Sequence, residues 1–405
     1  MQFKDVIGQV EIKKQLIQMV QNNRLSHALL FLGKEGSGAL SLARAFTQYL
    51  VCEKVNGKNG SSQSTSSLFE ENTEDETLPT QHSEILDSCG ICPSCMKASG
   101  MVHPDIHYSY PVISRKSGDK PVSTDFLSEW RLFMKDHPYG NSFDWLQAIG
   151  AENKQGNITA AECNDINRKL SLKSFESEYK FLLMWMPELL GNQGNKLLKL
   201  IEEPPPNTIF IFVAEQEQLI LPTILSRTQL VKIPLLSRSD IKSAIQLTGA
   251  ITDMQAEQIA LSSEGNYHDA LMQLEHAEEN WDEVLRSWMN SILKTGPVAQ
   301  VKWVEDISKL GREKQKQFLR YFIQLLEYTI RISVSDSNPD SMSPLTDFAI
   351  KMNKITSIPQ QEAIVEELDK ASYYIERNAN AKMLFHALTI KLYHIISNKS
   401  VILVN

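Results

Sequence analysis

The sequence predicts an α/β domain built on a parallel sheet, followed by two all-helical regions. Three observations carry this prediction. Apolar runs, HALLFLG (27–33), YKFLLMWM (179–186) and TIFIFVAE (208–215), alternate with stretches of helical periodicity, the pattern of a parallel sheet covered on both faces. The first run leads directly into a glycine-rich turn and an apolar helix, FLGKEGSGALSLARAF (31–46), a strand–loop–helix unit. From Ser237 onward no strand pattern remains, and apolar residues recur at helical spacing to about residue 397.

Composition sets the outer limits. The chain has 405 residues, enough for two or three domains. With 42% hydrophobic and 22% charged residues it reads as an ordinary globular protein. Its net charge of −8 argues against a basic nucleic-acid surface over the whole chain, though a local basic face is compatible with it. There is no run of about 18 apolar residues, so no membrane span is expected. The opening MQFKDVIGQVEIKKQL lacks the apolar centre of a secretory signal. A cytoplasmic protein is the expectation.

Taken in order, an amphipathic helix spans about 8–22, the first strand follows at HALLFLG, and the helix after the glycine turn runs to Leu50. Residues 53–86 are polar, Ser-rich and acidic; they cannot bury enough apolar surface to offset ordering entropy and read as a disordered insertion. Beyond the cysteines, a strand is expected near IHYSYPV (106–112), with helices around 123–136, 142–149 and 159–171. GNQGNKLLKLIEEPPPN (191–207) reads as a helix halted by three prolines, which cannot donate the backbone hydrogen bond. TILSRTQLVKIP (223–234) passes from a short helix into a last strand. A short helical region covers about 238–277. WDEVLRSWMNSIL, QKQFLRYFIQLLEYTIRI, QQEAIVEELDKASYYIERN and AKMLFHALTIKLYHII then build a helical bundle.

The glycine turn has the outline of a phosphate-binding loop, G-x-x-x-x-G-K-[ST]. Gly33 and Gly38 hold the spacing, and Gly36, Ser37 and Gly38 leave the backbone free to approach an anion. Yet Ala39 stands in the lysine position and Leu40 in the Ser/Thr position. That removes the charge on the β/γ-phosphates and a magnesium ligand. Where an acid should end the strand FLLM stands Trp185, with Glu188 three residues beyond the required position as the nearest carboxylate. The loop is therefore expected to bind nucleotide weakly or not at all and to hydrolyse none.

CGICPSC places Cys89, Cys92 and Cys95 at C-x2-C-x2-C. In a reducing compartment this spacing points to metal rather than disulfides. Tetrahedral zinc needs a fourth ligand, and Cys52 and His103 are the candidates. An iron–sulfur cluster and unmetallated thiols are the competing readings; no x3-C-P completes the ferredoxin run. Cys163, alone in a helix, reads as a small packed hydrophobe. Arg227 in TILSRTQ is by itself a surface arginine or an ion-pair partner.

FKDVIGQVEIKKQL, RLSHALLFLGKEGSG, the four-cysteine module, HPD at 103–105, NKLLKLIEEPPPNTIFIFVAE and TILSRTQ together resemble the bacterial clamp loader subunits of the AAA+ family. The resemblance covers residues 1 to about 275. It implies an AAA+ module with its zinc module (1–236, the cysteines within about 50–100), a helical lid (237–280) and a helical collar (281–405). In that family the gamma/tau ATPases keep the lysine, the Ser/Thr and the strand-end acids, whereas the delta-prime type has eroded sites. Ala39, Leu40, Trp185 and His268, which stands where the ATPase lid arginine would lie, resemble the second type. The resemblance then implies a structural zinc on Cys52, Cys89, Cys92 and Cys95. It also implies a hetero-pentamer with gamma/tau and delta that handles the sliding clamp and primer-template DNA, with no membrane partner. Arg227 becomes an arginine finger offered in trans to a neighbour's ATP; the family's Ser-Arg-Cys reads Ser-Arg-Thr here, with Thr228. The spacer between Cys52 and Cys89 is longer than is usual in the family. A gamma-like ATPase with a divergent loop, and a zinc-stabilised DNA-binding protein acting outside a ring, are the rival readings.

Overall fold

In the computed structural model the chain enters through helix α1 (Val10–Gln21) and strand β1 (Ala28–Gly33), and the glycine turn passes it into α2 (Ala39–Val51). Past the insertion, α3 (Pro93–Ser99) and β2 (Ile106–Ser109) are followed by α4 (Leu127–Asp136), α5 (Ser142–Ala148) and α6 (Ala160–Ser171). Strand β3 (Lys180–Trp185), α7 (Leu198–Glu202), β4 (Thr208–Ala214), α8 (Pro222–Leu225) and β5 (Gln229–Ile233) complete the sheet region. The structure describes residues 1–57, 87–116, 118–151, 154–248, 251–275, 281–334, 344–377 and 379–397. They fall into two units, Met1–Glu275 and His276–Asn405.

All strand pairs in the sheet are parallel, in the order β2-β3-β4-β1-β5. Strands β3 and β4 are buried along their whole length. Their unbroken apolar runs follow from that position, because both faces are covered and alternation has nothing to separate. Successive side chains still point to opposite faces. Phe31, Leu183, Trp185, Ile211 and Val213 join the core under α2 with Tyr110, Trp130 and Trp145. Leu30, Leu182, Met184, Phe210 and Phe212 join a second core with Cys163 and Ile166 of α6. The α/β fold expected from the alternating runs is the fold observed. Parallel pairing with the glycine turn at the end of an inner strand, β1, matches the AAA+ layout that the resemblance implies.

Three local expectations need correction. The strand near 106–112 stops at Ser109: Pro111 has no N–H to offer a ladder, and Val112 instead makes an isolated antiparallel bridge to Asn157. The helix expected over 191–203 is a 3-10 segment, Pro187–Leu197, followed by the five-residue α7. Gly191 breaks it with a φ of 48° and a ψ of −140°, a conformation that suits glycine. Residues 53–57 of the insertion form turns: Glu53 accepts from Ser94 N–H and Oγ–H, and Asn56 Nδ2 donates to Leu50 O. Residues 58–86 lie outside the described residues.

Asp105 of HPD shows how a loop is fixed ahead of a buried strand. Its carboxylate accepts backbone N–H groups from Phe175, Glu176 and Ser177, just before β3. Burial pushes this carboxyl up, and the three donors more than offset it, holding the group below its ordinary range. Asp105→Ala should lower unfolding free energy by about 2 kcal/mol, since it strands buried donors. Asp105→Asn, which keeps one acceptor oxygen, should recover part of the loss in urea unfolding.

Three helices close the first unit: α9 (Arg238–Leu247), α10 (Asp253–Ser262) and α11 (Tyr267–Glu275). Their core of Leu236, Ile241, Ile245, Ala260 and Ala270 takes in Tyr139, whose ring meets Tyr267 edge-on at 4.9 Å.

Among the described residues of the second unit the regular elements are all helices: α12 (Trp281–Asn290), which runs on into a π-helical turn (Ser291–Thr295), α13 (Pro297–Ser308), α14 (Arg312–Val334), α15 (Pro344–Ile355), α16 (Ile358–Glu376) and α17 (Ala381–Ser397). Trp288 and Trp303 stack at 4.5 Å in its core. Their indole N–H groups donate to Thr389 Oγ1 and Val284 O, so both rings are buried without a lost hydrogen bond.

Candidate functional site

Three places collect the residues singled out in the sequence. The first is the glycine turn. Gly36 and Gly38 adopt φ values of 70° and 83°, and Gly38 precedes the first residue of α2. A Cβ on Gly36 would lie 1.8 Å from Asn266 Oδ1, and one on Gly38 2.8 Å from the Tyr139 ring. The backbone therefore keeps the shape of a phosphate cradle, and side chains of the chain itself press against it. Tyr267 N–H donates to Gly36 O, the Tyr139 hydroxyl accepts from Ile7 N–H, and Ser41 Oγ donates to Pro138 O. Gln9 Nε2 ties Ser37 O to Pro234 O.

The cavity left beside the turn measures about 30 Å³ and is lined by Ala39, Leu40, Tyr139, Trp185, Glu35 and Glu215 among others. That is room for a water molecule or two. Trp185 ends β3 with its ring 5.5 Å from Trp130, so the position of a magnesium-organising acid belongs to the aromatic core. Glu188 is turned elsewhere, accepting N–H from Glu215 and Gln216. It is also not the nearest acid, because Glu35 and Glu215 line the cavity. Burial, then the charges of Glu35 and Glu188, push the Glu215 carboxyl up to about 8. With Ala39 in place of the lysine of a working loop, the cation nearest the turn in the cavity lining is Lys34, one residue after Gly33.

His268 closes the arrangement. It is 4% exposed, with Nε2 2.7 Å from Asp144 Oδ2 and Nδ1 3.1 Å from Glu35 Oε1. Burial alone would lower its pKa; the hydrogen bonds to Asp144 and Glu35 overcome that and hold it up to about 10. The side chain is thus an imidazolium clipped between the glycine turn and α5. Asn141, the N-cap of α5, donates to Glu35 Oε1 as well. Sequence reasoning marked His268 by its place in a motif but missed Glu35, Tyr139, Asp144 and Asn266, which no local pattern links.

The second place is the cysteine cluster. The Sγ atoms of Cys52, Cys89, Cys92 and Cys95 all lie within 4.8 Å of one another. Cys89 and Cys95 are 3.9 Å apart, close to the ~3.8 Å edge of a tetrahedron with zinc–sulfur bonds of about 2.3 Å. Backbone N–H groups of Cys89, Cys92 and Cys95 point at the sulfurs of Cys52, Cys89 and Cys92, donors that support thiolates. The four residues fit a closed, structural tetrahedral site. His103 is not in this group: its Nδ1 accepts from Asp105 N–H and its Nε2 faces Glu176. Cys163 is fully buried in the core beside α6, where burial pushes its thiol up to about 11, as suits a packed, inert cysteine.

The third is Arg227, between α8 and β5, with its side chain 34% exposed. Its Nε donates to Glu202 Oε1 at 2.6 Å and its Nη1 to Thr223 O at 2.7 Å. Among the described residues no helix is long and apolar enough to cross a membrane.

Comparison with known proteins adds an independent line. The family described as "DNA polymerase III, delta subunit" matches residues 8–84 and 76–237. DNA polymerase III subunit tau of Bacillus subtilis is 23% identical over 74% of this chain and 41% of its own length. Subunit delta' of the same organism is 23% identical over 55% of this chain and 46% of its own. Subunit delta' of Haemophilus influenzae is 22% identical over 69% of this chain and 63% of its own. The chain thus spans less than two thirds of each of these relatives.

Proposed function

The chain belongs to the DNA polymerase III delta-subunit family, and from that premise we propose that it is a non-hydrolysing, delta-prime-like subunit of a clamp loader. In this reading residues 1–236 form the AAA+ module, 237–280 the lid and 281–405 the collar of a hetero-pentamer with gamma/tau and delta. The assembled ring places a sliding clamp on primer-template DNA in the cytoplasm. One structural zinc sits on Cys52, Cys89, Cys92 and Cys95. Arg227 is offered in trans to a neighbouring subunit's ATP, where a fixed guanidinium stabilises charge developing on the γ-phosphoryl group.

The observation that supports the reading best is the glycine turn. Ala39, Leu40 and Trp185 remove the cation, the hydroxyl and the acid of an ATPase, while Tyr139, Asn266 and His268 occupy the approaches. A subunit held in this way serves as a rigid neighbour for subunits that do change with nucleotide.

The test is reconstitution with gamma/tau and delta. With Arg227→Ala the ring should still assemble, and clamp loading should fall at least about tenfold, a small part of what a full finger supplies. Unchanged loading would remove the finger role. Magnesium-dependent ATP turnover by the purified chain would instead favour a gamma-like ATPase. Salt-sensitive DNA binding without affinity for gamma/tau would favour a DNA-binding protein acting outside a ring.

A further inference from the structure

We propose that Glu202 is the positioning residue for Arg227, a weak catch that stows the guanidinium until a neighbour's phosphoryl group displaces it. This rests on reading Arg227 as a finger in trans. Nε and Nη2 of Arg227 both close on the single oxygen Oε1 of Glu202. Nη1 donates to Thr223 O at 2.7 Å and to Ser226 Oγ at 3.1 Å. A guanidinium has five N–H groups, so a lone Nη2 proton is left for any other acceptor. The edge that would fork a phosphate is already spent on a carboxylate within the same chain.

Glu202 is well placed for this. It is the last residue of α7, and Glu203 and Pro204–Pro205–Pro206 follow it. Proline disfavours helix in the residue before it and cannot continue one itself, so the backbone carrying Glu202 ends at a fixed point. The carboxylate has little freedom except at its own side-chain torsions. The pair is also open to water, with side chains 34% and 45% exposed, so its net strength is small. A buried pair would lock the arginine away; an exposed one only biases it. A phosphoryl group carries more charge than a carboxylate and offers two oxygens to the fork, so it wins the exchange when it is brought close. In a ring whose neighbouring site is not closed, Arg227 stays on Glu202.

The experiment is ATP hydrolysis by the complex reconstituted from this chain, gamma/tau and delta, with and without clamp and primed DNA. Glu202→Gln should raise the unstimulated rate about two- to fivefold, the range an exposed ion pair is worth. Glu202→Asp, which keeps the carboxylate, should bring the rate back towards wild type. Arg227→Ala should lower the stimulated rate, and Glu202→Gln should change nothing in that background, because Glu202 acts only through the arginine. Should Arg227→Ala lower the rate while Glu202→Gln leaves the unstimulated rate unchanged or reduced, the catch is overturned and the finger stands. Should Arg227→Ala have no effect, the finger reading itself fails. An increase with Glu202→Gln that persists in the Arg227→Ala background would also overturn the catch, since its cause would lie elsewhere.

Discussion

Replacing Cys95 with serine is expected to strip the metal from the chain and to unfold the segment around α3. Cys95 is fully buried, and its sulfur is 3.9 Å from that of Cys89. A serine oxygen at that point is a poor zinc ligand and leaves three sulfurs to share a burial meant for a neutralised cluster. Structural zinc sites in small peptides carry apparent binding energies of about 10–16 kcal/mol, and that energy is folding energy wherever the site does not pre-exist. Helix α3, Pro93–Ser99, is far too short to persist alone. Outside the cluster it is held by Ala98 packed in the main core, the Glu53 bonds to Ser94, the Lys97–Glu176 pair and the Met1 amine on Ser99 Oγ. Elemental analysis of the wild-type chain should give one zinc per molecule, and Cys95→Ser close to none, with new protease cleavage between Cys52 and His103. Cys163→Ser is the control: its sulfur packs beside Gln193 O in the core by α6, so zinc content should not change. A wild-type chain that is zinc-free and unfolds as one cooperative unit would exclude the structural metal.

The sheet and the cysteine cluster were legible for physical reasons that the rest of the site lacks. Strands β3 and β4 lie inside a parallel sheet, so nearly every residue in them is apolar and the runs stand out. Metal coordination demands particular residues at close spacing, and CGICPSC shows that spacing in a single stretch. The closure of the glycine turn has no such signature. Glu35, Tyr139 with Asp144, and His268 come from three separate segments, and only the tertiary fold brings their side chains together. The break at Gly191 was hidden because GNQGN precedes a helical period strong enough to suggest one continuous helix, while glycine φ values are set by context. Glu215 closes the run TIFIFVAE, so its presence was visible; its position on the cavity depends on the register of β4 beside β1.

His268→Gln is expected to flatten the dependence of stability on pH between about 6.5 and 10. Held up to about 10 in the folded chain, the imidazole binds a proton on folding at any pH between its unfolded value of about 6.5 and that figure. Its contribution is complete below about pH 6.5, shrinks by about 1.4 kcal/mol per pH unit above it, and is gone once pH passes the folded value. Glu215 falls in the same direction at lower pH. Raised to about 8, it favours folding less as pH climbs from its ordinary value towards 8. Glu215→Gln removes that share, so in its background the change that His268→Gln makes between pH 6.5 and 8 is not overlaid by Glu215. Urea midpoints read at pH 6.5, 8 and 9.5 in the Glu215→Gln chain, with and without His268→Gln, make the comparison. The two chains should differ most at pH 6.5 and converge by about pH 10. Coincident profiles would mean that His268 holds the turn by packing, with no charge between Glu35 and Asp144. The same substitution bears on why this loop is closed at all. With the imidazolium gone, Glu35 and Asp144 lose the cation that neutralised them, and the contact of α11 with the glycine turn is weakened on its charged side. Ala39, Leu40 and Trp185 are untouched, so ATP hydrolysis should not return. Loosening the clip should therefore free α11 from the glycine turn without giving the loop ATP hydrolysis. In a reconstituted loader that separates two roles for the region: clamp loading that falls with His268→Gln, while the ring still assembles, would place the value of this subunit in its rigidity.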